Sequence, residues 1–140
     1  MDALDQGRAA QLLAQHGIAP TPQRVAVASV MIDRRQHLSA EQVLDRLKRR
    51  GARVSKATVY NTLRLFAARG LLRELTVDRD RAFFDSNLAP HYHFYNVDDG
   101  TLTDFDADTL RISDVPALPE GTAHAGIDVI VRVCNKPGAS

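Results

Sequence analysis

The sequence predicts an α+β fold, with helices in the first half and short strands in the second. Helix caps followed by helically spaced apolar residues recur along the chain up to Gly70, and strand-like segments follow. The charge divides in nearly the same place. Residues 1–82 carry 15 Lys and Arg against 8 Asp and Glu, whereas residues 83–140 carry 3 against 9. A basic half beside an acidic half indicates that only the first half meets a polyanion.

Four helices are predicted from their boundaries. Thr21 is a suitable N-cap before Pro22, and Ser39 forms a capping box with Gln42. Basic residues end the third helix and match the negative end of its dipole. The predicted helices cover residues 4–15, 22–32, 40–50 and 55–68.

Strand signals begin after Gly70. Residues 71–77 and 81–85 read as two strands joined by the polar turn Asp78-Arg79-Asp80. Short helices followed by a two-stranded hairpin are typical of a winged helix-turn-helix. A second hairpin is predicted about Asp98-Asp99-Gly100, and residues 126–133 alternate like a last strand. These segments predict a winged-helix domain over 1–86, a hinge over 87–90 and a second domain over 91–140.

Composition excludes several classes of protein. The 140 residues are 25% charged and 44% apolar, as in an ordinary folded domain. The sequence lacks an apolar run of eighteen residues, so we expect no membrane association. The first residues lack a secretion signal, and a cytoplasmic location is expected. Cys134 is the only cysteine, which excludes an internal disulfide and a zinc site of paired thiolates.

The helix predicted over 55–68 has the two faces of a DNA-reading helix. Val59, Leu63 and Phe66 cluster on one side and are expected to pack inward. The opposite side offers an aromatic ring, an amide and cations, which suit thymine methyl groups, base edges and phosphates. Arg24, near the start of the second helix, is a further candidate. The predicted DNA-binding residues are Arg24, Lys56, Ala57, Tyr60, Asn61 and Arg64.

Histidines and carboxylates form a candidate metal site. His91 and His93 share one face of a strand, because alternate residues point the same way. Asp85 ends the preceding hairpin, and Asp104 lies on the strand expected to pair with the histidines. His37 is predicted to lie in the loop before the third helix. Three imidazoles and two carboxylates make an N/O site suited to Fe²⁺ or Mn²⁺.

Three alternatives stay open at this point. Two histidines and a carboxylate also form the triad of iron oxygenases, although no residues suggest a deep substrate pocket. A DNA-binding protein that ignores metal, with histidines merely exposed, is the second alternative. RNA is less favoured as the nucleic acid, because the aromatic residues do not form a stacking platform on a sheet.

Four segments carry a resemblance to the ferric uptake regulator family, over roughly residues 8–105. They are Thr21-Pro22-Gln23-Arg24, His37-Leu38-Ser39-Ala40-Glu41, Ala57-Thr58-Val59-Tyr60-Asn61-Thr62-Leu63 and His91-Tyr92-His93. The resemblance implies a homodimeric, metal-dependent repressor of palindromic operator DNA, with an N-terminal winged helix and a small α/β dimerisation domain. It also implies one regulatory Fe²⁺ or Mn²⁺ per subunit at the five positions above. No catalytic residue and no enzyme activity are expected.

Two residues resemble the peroxide-sensing branch of that family. Asn61 stands where iron-uptake repressors usually carry arginine, and Asp104 stands where they usually carry glutamate. This likeness implies that peroxide oxidises His37 or His91 at bound iron. The Cys-x-x-Cys pairs of most relatives are missing, so no structural zinc at a cysteine site is expected. Residues 116–121 and 127–132 are more similar to cysteine-poor iron-response regulators, and iron or haem sensing is therefore the alternative.

Overall fold

The computed structural model describes residues 3–79 and 81–138, with side chains from residue 5 onward. Asp80, the last residue of the predicted polar turn, lies outside the described residues. The described chain divides into two compact units, the first ending at Leu88 and the second beginning at Ala89.

Four helices form most of the first unit, and they match the predicted helices closely. The Ser39 side chain accepts the Gln42 N–H at 3.2 Å, and the Gln42 side chain accepts the Ser39 N–H at 2.9 Å, so the predicted capping box is confirmed. Thr21 likewise caps the second helix, with Pro22 as its first residue. The helices are α1 (Ala3–Gln15), α2 (Pro22–Ile32), α3 (Ala40–Arg49) and α4 (Lys56–Ala68).

Three strands complete the first unit as an antiparallel sheet with the order β1-β3-β2. They are β1 (His37–Leu38), β2 (Arg73–Asp78) and β3 (Arg81–Asp85). The sequence placed His37 in a loop, and this was wrong. The Gln36 N–H donates to Ser86 Oγ at 3.0 Å, and the Ser86 N–H donates to the Gln36 carbonyl at 2.9 Å. These two hydrogen bonds hold β1 against β3. Two residues are too few to show a strand pattern in a sequence.

One apolar core joins the helices to the sheet of this unit. The inward packing predicted for Val59, Leu63 and Phe66 is confirmed, since all three are fully buried. Phe84 of β3 belongs to the same core, and its ring meets the Tyr60 ring edge-on at 6.1 Å between centroids. The core therefore fixes the hairpin and α4 to each other, and with them the outward face of α4.

The second unit is a three-stranded sheet with the order β5-β4-β6. Its strands are β4 (His91–Asn96), β5 (Leu102–Asp106) and β6 (Ile130–Val133). Strand β4 pairs antiparallel with β5 around the predicted Gly100 turn, and parallel with β6. The helical element described in this unit is a short 3₁₀ turn over Ala107–Thr109, and Pro116 and Pro119 lie in the irregular segment that follows. The α+β fold class is confirmed.

Replacing Phe84 with alanine is expected to lower the free energy of unfolding of the first unit by about 3–5 kcal/mol, because deleting a buried ring leaves a cavity. Chemical denaturation followed by helical circular dichroism measures the change. Leu88→Ala is the control, since Leu88 is 55% exposed, and it should cost no more than about 0.5 kcal/mol. Equal losses in the two variants would contradict this description of the core.

Candidate DNA-binding face and metal centre

The outward face of α4 is a continuous stripe of exposed residues. Ser55 caps the helix by accepting the Thr58 N–H at 3.1 Å. Because exposed residues recur at helical spacing, the structure brings five of the six predicted DNA-binding residues onto one face. They are Lys56, Ala57, Tyr60, Asn61 and Arg64.

Two carboxylates contact the cations of this stripe. Lys56 Nζ lies 2.8 Å from Glu41 Oε1, on α3. Arg64 Nε lies 3.4 Å from Glu74 Oε1, on β2, and the Arg64 guanidinium lies 5.8 Å from the centroid of the Tyr60 ring. The hydrogen bond from Lys56, reinforced by its charge, holds the pKa of Glu41 below its usual value. Glu41 is therefore ionised at neutral pH.

Sequence reasoning missed both of these carboxylates. Glu41 lies in the first turn of α3 and is 15 positions from Lys56, so no local spacing links the pair. A first-turn acid is ordinarily explained by the helix dipole alone.

Arg24 and Asn61 line one cleft between the start of α2 and α4. The cleft has a volume of about 530 Å³ and is also lined by Gln23 and Thr58. The Arg24 guanidinium donates to the Ala19 carbonyl at 3.1 Å, which holds it beside the first turn of α2. The sixth predicted DNA-binding residue thus shares a cleft with a residue of the α4 stripe.

In the first unit, two of the predicted metal ligands are neighbours across strands. His37 on β1 is paired in register with Asp85 on β3, so their side chains share one face of the sheet. Asp85 is 1% exposed, and its Oδ1 accepts the Asn87 N–H at 2.8 Å. The His37 ring packs edge-on against Phe83 at 6.1 Å between centroids.

In the second unit, the other three predicted ligands converge. His93 Nε2 lies 3.3 Å from Asp104 Oδ1, and His91 Nε2 lies 3.9 Å from the same oxygen. The two imidazoles are 6% and 3% exposed, and their ring centroids are 4.6 Å apart. One donor atom from each of the three residues lies within 4.8 Å of the other two.

A backbone hydrogen bond orients His91. Its Nδ1–H donates to the Ala89 carbonyl at 2.6 Å, and its Nε2 is the ring nitrogen on the side of Asp104. Such a second hydrogen bond is what fixes metal-binding histidines in proteins. Two imidazole nitrogens and a carboxylate oxygen are a donor set that fits a divalent transition metal.

Two histidines lie outside these groups. His16, the residue after α1, donates its Nδ1–H to the Leu12 carbonyl at 3.0 Å, and His124 is exposed. The one cysteine, Cys134, is exposed as well. Across the described part of the chain, each helix is too short or too polar to cross a bilayer.

Comparison with known proteins identifies the family. The model of the ferric uptake regulator family matches residues 15–120. The peroxide-responsive repressor PerR of Staphylococcus aureus strain Mu50 is 37% identical over 93 residues, which are 66% of this chain and 63% of that protein. The alignment thus spans less than two thirds of the curated relative's length.

Solved structures share the fold. The ferric uptake regulator of Pseudomonas aeruginosa, solved with manganese, is 27% identical with a TM-score of 0.68, over 90% of this chain and 96% of that one. The Vibrio cholerae ferric uptake regulator matches with a TM-score of 0.69 at 19% identity, over 90% of this chain and 98% of that one. Because the family model matches residues 15–120, which are most of the 140 residues, this chain belongs to the ferric uptake regulator family.

Proposed function

We propose that this protein is a metal-dependent repressor that binds a palindromic DNA operator as a homodimer and responds to peroxide. Proteins of the family are transcription regulators and not enzymes. In this proposal residues 1–86 bind DNA, residues 87–90 are a hinge and residues 91–140 form the dimerisation domain. The protein would act in the cytoplasm, with the DNA.

The exposed stripe of α4 supports the DNA-binding role. Asn61 has the amide that pairs with adenine, and Tyr60 and Ala57 offer apolar contact to thymine methyl groups. Lys56 and Arg64 contribute cations for phosphate or guanine, and Arg24 adds one from α2. The excess of basic residues in the first 82 positions favours the same partner.

The two donor groups support a regulatory metal site. We assign one Fe²⁺ or Mn²⁺ per subunit to His37, Asp85, His91, His93 and Asp104. Asp85 and His91 are six positions apart, so the chain keeps them within about 20 Å even at full extension. Two carboxylates balance the charge of a divalent ion. A bound ion supplies a positive charge and coordination bonds that join these donors in one shell.

Sharing the ion links metal binding to DNA binding. His37 and Asp85 belong to the unit that carries α4, whereas the other three donors belong to the second unit. Ligands drawn from both units restrict the angle between them, and in a dimer they restrict the distance between two reading helices. Operator half-sites must lie about one DNA turn, or a multiple, apart. Metal binding therefore shifts the conformational population of the dimer toward the form whose two reading helices match the spacing of the operator half-sites.

The peroxide response rests on likeness to the PerR relative and on two residue types. Asn61 and Asp104 match the peroxide-sensing branch, and His37 and His91 are the imidazoles assigned as oxidation targets. With a single cysteine in the chain, the proposal includes no structural zinc at a cysteine site. The observation that carries the whole proposal is the pair of buried imidazoles facing Asp104 in a chain of this family.

Replacing either His37 or Asp104 with alanine is expected to weaken manganese-dependent operator binding by at least about tenfold, because loss of even an outer-shell partner of a metal ligand typically costs that much in metal affinity. Manganese is titrated into each variant against a duplex that the wild-type protein selects from a random pool. Binding is measured by fluorescence anisotropy.

The matched control for this titration is His124→Ala, which removes an exposed histidine outside both donor groups. It should behave like the wild-type protein. Wild-type manganese responses in both His37→Ala and Asp104→Ala would contradict the shared metal site.

Peroxide is expected to add one oxygen atom to a peptide containing His37 or His91 when the protein is loaded with iron. The same treatment of manganese-loaded protein should leave both peptides unchanged and DNA binding intact. Tandem mass spectrometry locates the added oxygen. Loss of DNA binding without that mass gain would contradict peroxide sensing at these residues and favour another sensing chemistry.

A further inference from the structure

Both cations of the α4 stripe are held by carboxylates from other elements. Lys56 contacts Glu41 on α3 at 2.8 Å, and Arg64 contacts Glu74 on β2 at 3.4 Å. The surrounding sequence is basic, with only 8 acidic residues in the first 82. Two of those few acids therefore contact the two α4 cations that are assigned to DNA.

The Glu41 carboxylate lies in a cationic setting. Its side chain is 74% exposed, and the positive charge of Arg81 on β3 acts on it in addition to that of Lys56. Its pKa is held low, so the negative charge persists at neutral pH. An exposed ion pair of this kind contributes little to folding stability, so its main effect is expected in what the face can bind.

Glu74, which contacts Arg64, is less exposed to solvent than Glu41. The Glu74 side chain is 26% exposed, and the Arg64 side chain extends past the Tyr60 ring. A carboxylate oxygen and a phosphate oxygen accept the same charge-assisted hydrogen bonds. Each glutamate therefore occupies part of the donor capacity of its cation, and its own negative charge lies beside any phosphate that binds there.

We propose that Glu41 and Glu74 are specificity-determining residues that compete with DNA phosphates for Lys56 and Arg64. Binding to arbitrary DNA depends almost wholly on phosphate contacts. Competition at two of those contacts lowers the affinity of the metal-free protein for any duplex. Tight binding then requires the additional contacts of a correctly spaced dimer. This inference rests on the proposed DNA-binding function.

The test uses the full chain with a chelator, a random-sequence duplex and 50 mM salt. Glu41→Gln and Glu74→Gln are each expected to tighten binding about three- to tenfold and to steepen its salt dependence by up to about one unit of slope, as when one more phosphate is neutralised. Glu120→Gln makes the same change in net charge at an exposed residue of the second unit, and it should stay within about twofold of wild type. Unfolding curves check that each variant folds.

A double variant gives a second readout that a change in net charge alone cannot produce. In a Lys56→Gln background, Glu41→Gln should no longer tighten binding, because the cation for which it competes is gone. Equal affinities for Glu41→Gln, Glu74→Gln and Glu120→Gln would overturn this inference alone. A wild-type protein that binds no duplex, even with manganese, would overturn the proposed function and this inference together.

Discussion

The convergence of His91 and His93 on one oxygen of Asp104 is the constraint on which the proposed function depends. Burial of two imidazoles is unfavourable unless polar partners are supplied, and here the carboxylate and the Ala89 carbonyl supply them. Strand β4 places both rings on one face, and its register with β5 sets Asp104 opposite His93. Backbone pairing between β4 and β5 therefore positions these donors.

In the first unit, core packing positions the side chains that are proposed to bind DNA. Its core fixes α4 through Val59 and Phe66, and Phe84 ties the hairpin to that helix. The outward stripe is held in place because the opposite side of α4 is buried in this core. His37 and Asp85 are register partners on adjacent strands of this same unit. In the proposed function, a change in metal coordination at these two residues therefore acts directly on the unit that contains α4.

Sequence patterns predicted the parts of the fold that have local signals. Ser39 and Thr21 marked helix starts, and the alternation of His91 and His93 placed two donors on one face. The pairing of His37 with Asp85 could not be predicted from the sequence, because β1 has only two residues. It is held against β3 by hydrogen bonds between Gln36 and Ser86, which are distant in the sequence. Contacts made by Glu41 and Glu74 were also missed, since they depend on how α3 and β2 pack beside α4.

A crystal structure of the protein grown with manganese, analysed by anomalous scattering, tests the central claim most directly. The proposed function predicts one anomalous peak per subunit, at coordination distance from His37 and Asp85 as well as from His91, His93 and Asp104. A peak bound by the second-unit donors alone, or one remote from all five residues, would contradict a metal shared by the two units.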